Sequence, residues 1–330
     1  MNRSGIVRLF VCAVLVLLTA ACNHREFDYQ LPSARVPVVV EFNWELDQDA
    51  APEGMTVYFY RSGSSRAIAY DFNGRDGGSL TLLPGTYSAI CHNNDSDVHG
   101  FVGYHSFDEF GLRLNDHRTA GNAQSFPAQR ADGVDERIAY TPDLMWVSSI
   151  PVFVIEPSDN PDVKSRTPVV LRFDMQPVVH HYTVHITNPI NFNKSVEVHA
   201  TISGMASTVH PGKAVTGDET VTHHFTMQPT SDGNLRADFL TFGHCGGNPL
   251  SSRGSDDEKE LHILSVYATM PDGKEWTSVH DVTTQLHSSV SLDCVVRLDS
   301  VSFPQHTGSG GGWAPSVDDW GGGHREPIGM

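Results

Sequence analysis

Histidine is the side chain in this sequence with the clearest capacity for chemistry. There are 18 histidines among 330 residues, and they are dense in HHYTVH at 180–185 and in the pair His223–His224. If Phe225 points inward, period-2 alternation places four histidines on outer strand faces, where neighbouring strands could bring them together: His181, His185, His199 and His224. Zinc or copper needs three or four ligands in fixed geometry and a supporting second shell. Neither is visible, so we expect a solvated imidazole patch, no metal and no cofactor.

The sequence contains none of the common catalytic motifs. A serine hydrolase elbow needs GxSxG, a zinc protease HExxH, and a nucleotide enzyme a glycine loop that opens a helix. DSDVHG at 95–100 is similar to the start of a calcium loop, but His99 replaces an oxygen donor and Ser106 stands where the closing glutamate belongs, which favours a polar turn. Aromatic side chains on strands could form a sugar platform, although core packing is favoured. We therefore expect no enzymatic activity.

Cys22 is the one cysteine whose surroundings suggest a modification. Arg3 and Arg8 precede an apolar run from Leu9 to Leu18, which is far shorter than the roughly 20 residues that a membrane-spanning helix needs. Small residues at 19–21 then lead to Cys22, as in a bacterial lipobox, although Leu18 lies one place early. We predict a signal peptide at 1–21 and acylation of Cys22, with multiple acyl chains anchoring the protein in a membrane. The alternative is a plain signal peptide with an unmodified Cys22.

Composition limits the partners. Removal of residues 1–21 leaves about 309 residues, enough for two domains. It also leaves 20 basic residues against 39 acidic ones, a formal charge of −19, so nucleic acid and anionic membrane surfaces would repel the chain. Of the remaining cysteines, Cys91, Cys245 and Cys294, we expect inert thiols, with a Cys245–Cys294 disulfide left open.

Period-2 alternation dominates the chain and predicts an all-β protein. In the first half, the inward rows are Val38, Val40, Phe42 and Trp44; Met55, Val57 and Phe59; Ile68, Tyr70 and Phe72; and Tyr87, Ala89 and Cys91. A polar loop is expected from His92, and LMWVSSIPVFVIE at 144–156 restores strand character. A linker rich in Pro, Asp and Ser then places a domain boundary near Asn160.

The second half repeats the pattern. Its predicted inward rows are Val169, Leu171, Phe173 and Met175; Tyr182, Val184 and Ile186; Val196, Val198, Ala200 and Ile202; Leu261, Ile263 and Tyr267; and Val290, Leu292, Cys294, Val296 and Leu298. The predicted organisation is a linker at 22–34, β-sandwich domains at 35–160 and 161–303, and a C-terminal segment at 304–330.

The C-terminal segment combines a hinge with apolar anchors. Residues 308–312 are glycine and serine, which would let WAPSVDDW swing free. In an extended strand Trp313 and Val317 lie on one side and Trp320 on the other, so we predict that these three residues bind a partner. Pro315 permits only an edge position in a sheet. A disordered acidic tail is the alternative.

Together these stretches resemble the fimbrillin-like lipoproteins of the Bacteroidales, in particular a sub-family catalogued as a domain of unknown function. After the lipobox at Cys22, the stretches that carry the resemblance are VVVEFNW (38–44), PEGMTVYFY (52–60), LLPGTYSAICHNND (82–95), TISGMA (201–206), DFLTFG (238–243), DVTTQ (281–285) and GGGWAPSVDDW (310–320). They span nearly the whole mature chain.

The resemblance implies two transthyretin-like β-sandwich domains in tandem, followed by a flexible tail. It also implies a surface-anchored, non-enzymatic lipoprotein of the outer membrane that serves fimbriae and adhesion as an anchor, shaft or tip subunit. Its expected partners are other fimbrial subunits, bound by strand addition, and the membrane, reached through the lipid. A surface glycan-binding lipoprotein for nutrient capture is the alternative.

Overall fold

The computed structural model describes residues 35–116, 136–157, 166–245, 261–270, 273–288 and 293–305. The predicted signal peptide, Cys22, the 22–34 linker and the segment with Trp313, Val317 and Trp320 all lie outside these ranges. Within them, no helix has the length and apolar character needed to cross a membrane.

Nearly all regular structure is β-strand, as period-2 alternation predicts. The described residues form β1 (Val36–Asn43), β2 (Gly54–Arg61), β3 (Ile68–Asn73), β4 (Gly78–Leu82), β5 (Gly85–Asn93), β6 (His99–Val102), β7 (Gly111–Leu114), β8 (Ile138–Ala139), β9 (Trp146–Ile155), β10 (Val169–Asp174), β11 (Gln176–Pro177), β12 (His180–Thr187), β13 (Val198–Ala206), β14 (Thr208–His210), β15 (Val215–Thr216), β16 (Thr220–Pro229), β17 (Leu235–Thr241), β18 (Ile263–Thr269), β19 (Glu275–Asp281), α1 (Thr283–Ser288) and β20 (Asp293–Asp299).

The first core lies between two sheets. One has the strand order β10-β1-β4 and the other β11-β9-β5-β2-β3. The rows predicted on β1, β2 and β5 are confirmed as the buried faces of this core. The predicted row on β3 is only partly correct, because Phe72 is buried whereas Ile68 is 41% exposed.

Gly77 shows why the turn between β3 and β4 needs glycine. Its φ of +85° lies in the left-handed region, and a Cβ there would stand 2.1 Å from the Val40 carbonyl oxygen. Glycine therefore lets β4 approach β1 and complete the three-stranded sheet.

The second core is built around the longest sheet path, in the order β19-β18-β13-β16-β17-β12-β20, with β8 beside β16. β16 and β17 pair only at two positions, Gln228–Arg236 and Pro229–Leu235, and buried residues on both sides of this junction share one core. The rows predicted on β12 and β13 are confirmed there, and Cys294 and Val296 of β20 are buried beside them.

A small sheet joins the two halves. Its order is β15-β14-β7-β6, so strands from the first half pair with strands from the second. Phe110 packs against Tyr58 and His92 on the outer face of the five-stranded sheet, with ring centroids 5.2 and 6.0 Å apart. The Arg113 guanidinium donates to the Glu219 carboxylate at 2.7 Å, and this contact is the main reason that the pKa of Glu219 falls to about 2.

The predicted boundary near Asn160 assigns β10 to the wrong core. β10 pairs in parallel with β1, and Leu171, Phe173 and Met175 are buried in the first core. The strand that follows the linker thus pairs with β1 in the three-stranded sheet of the first core. This long-range pairing cannot be predicted from the local sequence.

Two further predictions are corrected. In 261–268 both alternating registers carry apolar residues, and the structure buries Leu264, Val266 and Ala268 while Leu261 is 46% exposed. The polar loop predicted from His92 begins later, because β5 continues to Asn93. Asn93 is buried with its amide satisfied, since its Nδ2 donates to Asp95 and its Oδ1 accepts from the Trp146 N–H at 2.9 Å.

None of the three described cysteines forms a disulfide, so Cys245 and Cys294 are not bonded to each other. Cys91 and Cys294 are buried, which fits the expectation of inert thiols for these two.

Candidate assembly interface

Open sheet edges are the features of the described structure that could bind another chain. A strand at the end of a sheet presents unpaired N–H and C=O groups, which a partner's strand can satisfy. β9, β19 and β20 each have such an edge, and they differ in how it is protected.

β9 has an apolar open edge. β11 pairs with it only at Trp146 and Val147, so in the described structure the rest of β9 has no strand on that side. Val152 and Val154 on this stretch are 66% and 51% exposed. Pro151 is typical of an edge strand, because proline lacks the N–H that a neighbouring strand would bind. The register between β9 and β5 also shifts at this point.

β19 offers a more polar edge. It pairs with β18 along its full length, and its exposed face carries Val279, which is 62% exposed, between the acidic residues Glu275 and Asp281. His280 on the other face accepts or donates a hydrogen bond with the Ser278 hydroxyl at 2.8 Å, and burial lowers its pKa.

The edge of β20 is occupied by a side chain. The Gln285 amide donates from Nε2 to the Arg297 carbonyl at 3.0 Å and accepts from the Arg297 N–H at 2.8 Å. It therefore makes the two hydrogen bonds that a neighbouring strand would make at that residue, and β20 is closed to strand addition at this point.

The structure divides the predicted histidine patch. His199 and His224 stack with ring centroids 5.3 Å apart and share contact with Tyr267. His181 lies instead beside Asp238 and Asp293 at 3.6 and 3.7 Å, and His185 lies beside Arg297. The four histidines do not form one site.

Sequence reasoning missed the histidines that point inward. Within each histidine doublet, alternation sends one ring out and the other in, and His180 and His223 are almost wholly buried. His244 and His262 are also buried, beside His287. The doublets themselves were the available signal for the first two.

The three tryptophans of the described ranges pack against other aromatic rings or into the core. Trp44 and Trp146 are buried edge to face, with ring centroids 5.9 Å apart, and Trp276 packs on Phe303 at 4.4 Å. The Trp44 indole N–H donates to the Arg75 carbonyl. This agrees with the expectation that strand aromatics belong to the core.

The fold defines a class of all-β proteins with two joined sandwich cores. A protein of Bacteroides ovatus ATCC 8483, provisionally classed as an adhesin, has a similar crystal structure, with a TM-score of 0.63, 18% identity, and coverage of 82% of this chain and 93% of that chain. The predicted fold class of tandem β-sandwiches is thereby confirmed.

The chain belongs to the family described as Domain of unknown function (DUF5119), whose model matches residues 21–226. This confirms the sub-family resemblance seen in the sequence. A second Bacteroides ovatus protein, provisionally named fimbrium anchoring subunit Fim4B, is 22% identical over 349 aligned positions that cover 95% of each chain.

Proposed function

We propose that this protein is a non-enzymatic, lipid-anchored accessory subunit of a fimbria, acting at the point where the filament is held to the cell surface. The observation that carries the proposal is the similarity to Fim4B, which extends over 95% of both chains. A match of that extent includes both cores, so it concerns the whole architecture rather than one shared domain.

The anchor is the lipid on Cys22, in the outer membrane. A ten-residue apolar run followed by Thr19, Ala20 and Ala21 supports cleavage just before Cys22. Two or more acyl chains on this residue would hold the mature chain stably, whereas a single chain binds only marginally.

Assembly proceeds by strand addition. The segment with Trp313, Val317 and Trp320 is the donor strand that enters a neighbouring subunit, and the exposed stretch of β9 is the edge that accepts one. The apolar side chains of Val152 and Val154 support β9 over β19, whose exposed face is flanked by carboxylates. Main-chain hydrogen bonds would provide the affinity and the alternate side chains the specificity.

Substitution of the anchoring cysteine tests this proposal. In Cys22→Ala, the mature protein should leave the membrane fraction and filaments should be released into the medium. Cys12→Ala, which removes a cysteine from the signal peptide, is the matched control and should keep both on the cell. Retention of Cys22→Ala in carbonate-washed membranes would contradict lipid anchoring. Retention of filaments on cells whose Cys22→Ala protein is soluble would contradict the anchoring role.

A further inference from the structure

Three histidines from separate segments meet at one end of the second core. His244 follows β17, His262 immediately precedes β18, and His287 lies in the last turn of α1. Each offers one ring nitrogen, and these three nitrogens all lie within 4.8 Å of one another. The ring centroids are separated by 4.8, 4.6 and 5.1 Å. We call this group the histidine cluster.

Hydrogen bonding orients His262 as a metal ligand is usually oriented. Its Nδ1 lies 3.1 Å from the Ser203 carbonyl oxygen. A carbonyl can only accept, so Nδ1 carries the proton and Nε2 presents a lone pair. Metal-binding histidines commonly donate their second N–H to a backbone carbonyl, which fixes the tautomer and the ring orientation.

The lone pair of His262 faces His244. Its Nε2 is 3.0 Å from Nδ1 of His244, close to the roughly 3.3 Å between two nitrogens that bind zinc tetrahedrally at about 2.0–2.1 Å. An ion between them would displace the shared proton, which moves to Nε2 of His244. That nitrogen is buried and makes no hydrogen bond within the usual distance and angle limits, and the backbone of Leu286 lies beside its ring.

The backbone around the cluster is shaped for close approach. Gly204 has a φ of +78°, and a Cβ there would stand 2.8 Å from Nδ1 of His262. The Thr283 hydroxyl accepts from the His262 N–H, and the Asp281 carboxylate accepts from the Thr283 N–H, both at 2.9 Å. These bonds hold the start of α1, and with it His287, beside the other two rings.

We propose that His244, His262 and His287 bind one zinc ion, with water as the fourth ligand. Three imidazoles suit zinc, whereas calcium and magnesium prefer oxygen ligands. The neighbouring Cys245 is directed elsewhere, because its thiol donates to the Glu219 carbonyl. His287 is half-buried, so the cluster reaches solvent at this ring.

The ion would tie together three segments that are distant in sequence: the end of β17, the start of β18 and α1. This inference goes beyond the proposed function and departs from the sequence-based expectation of no metal. A ligand that binds only the folded state stabilises it by mass action.

Zinc titration of the mature lipoprotein in detergent, without a polyhistidine tag and after treatment with a chelator, tests the site. We expect one equivalent of zinc to bind and the unfolding temperature to rise by about 4 °C at a hundredfold excess over Kd. No binding, or no rise in the unfolding temperature, would overturn the proposal.

Variants locate the binding. His287→Ala should weaken zinc binding at least tenfold while leaving the near-UV circular dichroism of the zinc-free protein unchanged, because its ring is not fully buried. The double variant His181→Ala with His185→Ala removes two histidines of β12 that lie outside the histidine cluster. It should bind zinc as the wild type does. Unchanged affinity in His287→Ala, or loss of the zinc equivalent in the double variant, would refute the histidine cluster as the site.

Discussion

At position 223 the chain places an imidazole where a β-sandwich normally places a hydrocarbon. His223 is fully buried, beside Ala139 of the short parallel strand β8. Desolvation is the main cause that lowers its pKa from 6.5 to about 4. His92 in the first half has the same shift for the same first cause, so each half contains a buried ring that resists protonation.

These rings make the fold sensitive to acid. Between pH 6.5 and 4 the unfolded chain binds a proton at His223 and the folded chain does not, so the free energy of unfolding falls as pH is lowered through this window. The shift corresponds to roughly 3 kcal/mol for His223. We predict that His223→Gln, which cannot titrate, has a shallower pH dependence of unfolding free energy than the wild type between pH 6.5 and 4.

Denaturant unfolding at a series of pH values measures this slope. The substitution His181→Gln, at an exposed ring on β12, controls for loss of a histidine. Equal slopes in His223→Gln and the wild type would show that His223 is not the acid-sensitive group.

At the scale of elements, alternation predicted those strands whose two faces differ in polarity. On β1, the polar residues Glu41 and Asn43 lie on the face opposite the apolar row. The two faces are therefore easy to tell apart in the sequence, and the predicted buried face is confirmed. Near β18 it failed because Leu261, Ile263 and Tyr267 compete with an equally apolar register. Hydropathy could not predict the inward histidines, because a hydropathy scale gives histidine the same value whether its ring is buried or solvated.

Long-range pairing was the other limit at this scale. β10 follows a linker-like stretch yet completes the first core by pairing in parallel with β1. β7 pairs with β14 across the predicted boundary. Both pairings depend on tertiary contacts rather than on local composition. The histidine cluster was missed for a related reason, since its members come from three segments with no common motif.

The side chain of Gln285 hydrogen-bonds the backbone of β20 at Arg297 and so protects the edge of that strand from pairing with another chain. We predict that Gln285→Leu, which keeps a similar volume but loses the amide, exposes the edge of β20 at Arg297 and promotes self-association. Loss of two partly exposed hydrogen bonds should also cost about 1 kcal/mol of unfolding free energy. Thr284→Ala, an exposed change in the same helical turn, is the control.

Sedimentation velocity over a range of concentrations, together with denaturant unfolding, measures both effects. A Gln285→Leu protein that stays monomeric and as stable as Thr284→Ala would show that the Gln285 amide does not guard the edge.

At the scale of the whole molecule, the two cores are joined rather than strung on a linker. The hairpin of β6 and β7 covers the first half's outer sheet face and pairs with β14 of the second half. Such a joined body would suit the proposed role, in which force passes between a membrane anchor at one terminus and a filament contact at the other. The acidic surface, with a formal charge of −17 for the full chain, favours solubility at the cell surface.

Electron microscopy of cells that lack this protein tests its proposed role as a fimbrial anchor most directly. We predict that these cells carry few attached fimbriae and release filaments into the medium, and that the wild-type chain supplied in trans restores attachment. Attached fimbriae in unchanged number and length on the deletion cells would contradict the proposed anchoring function.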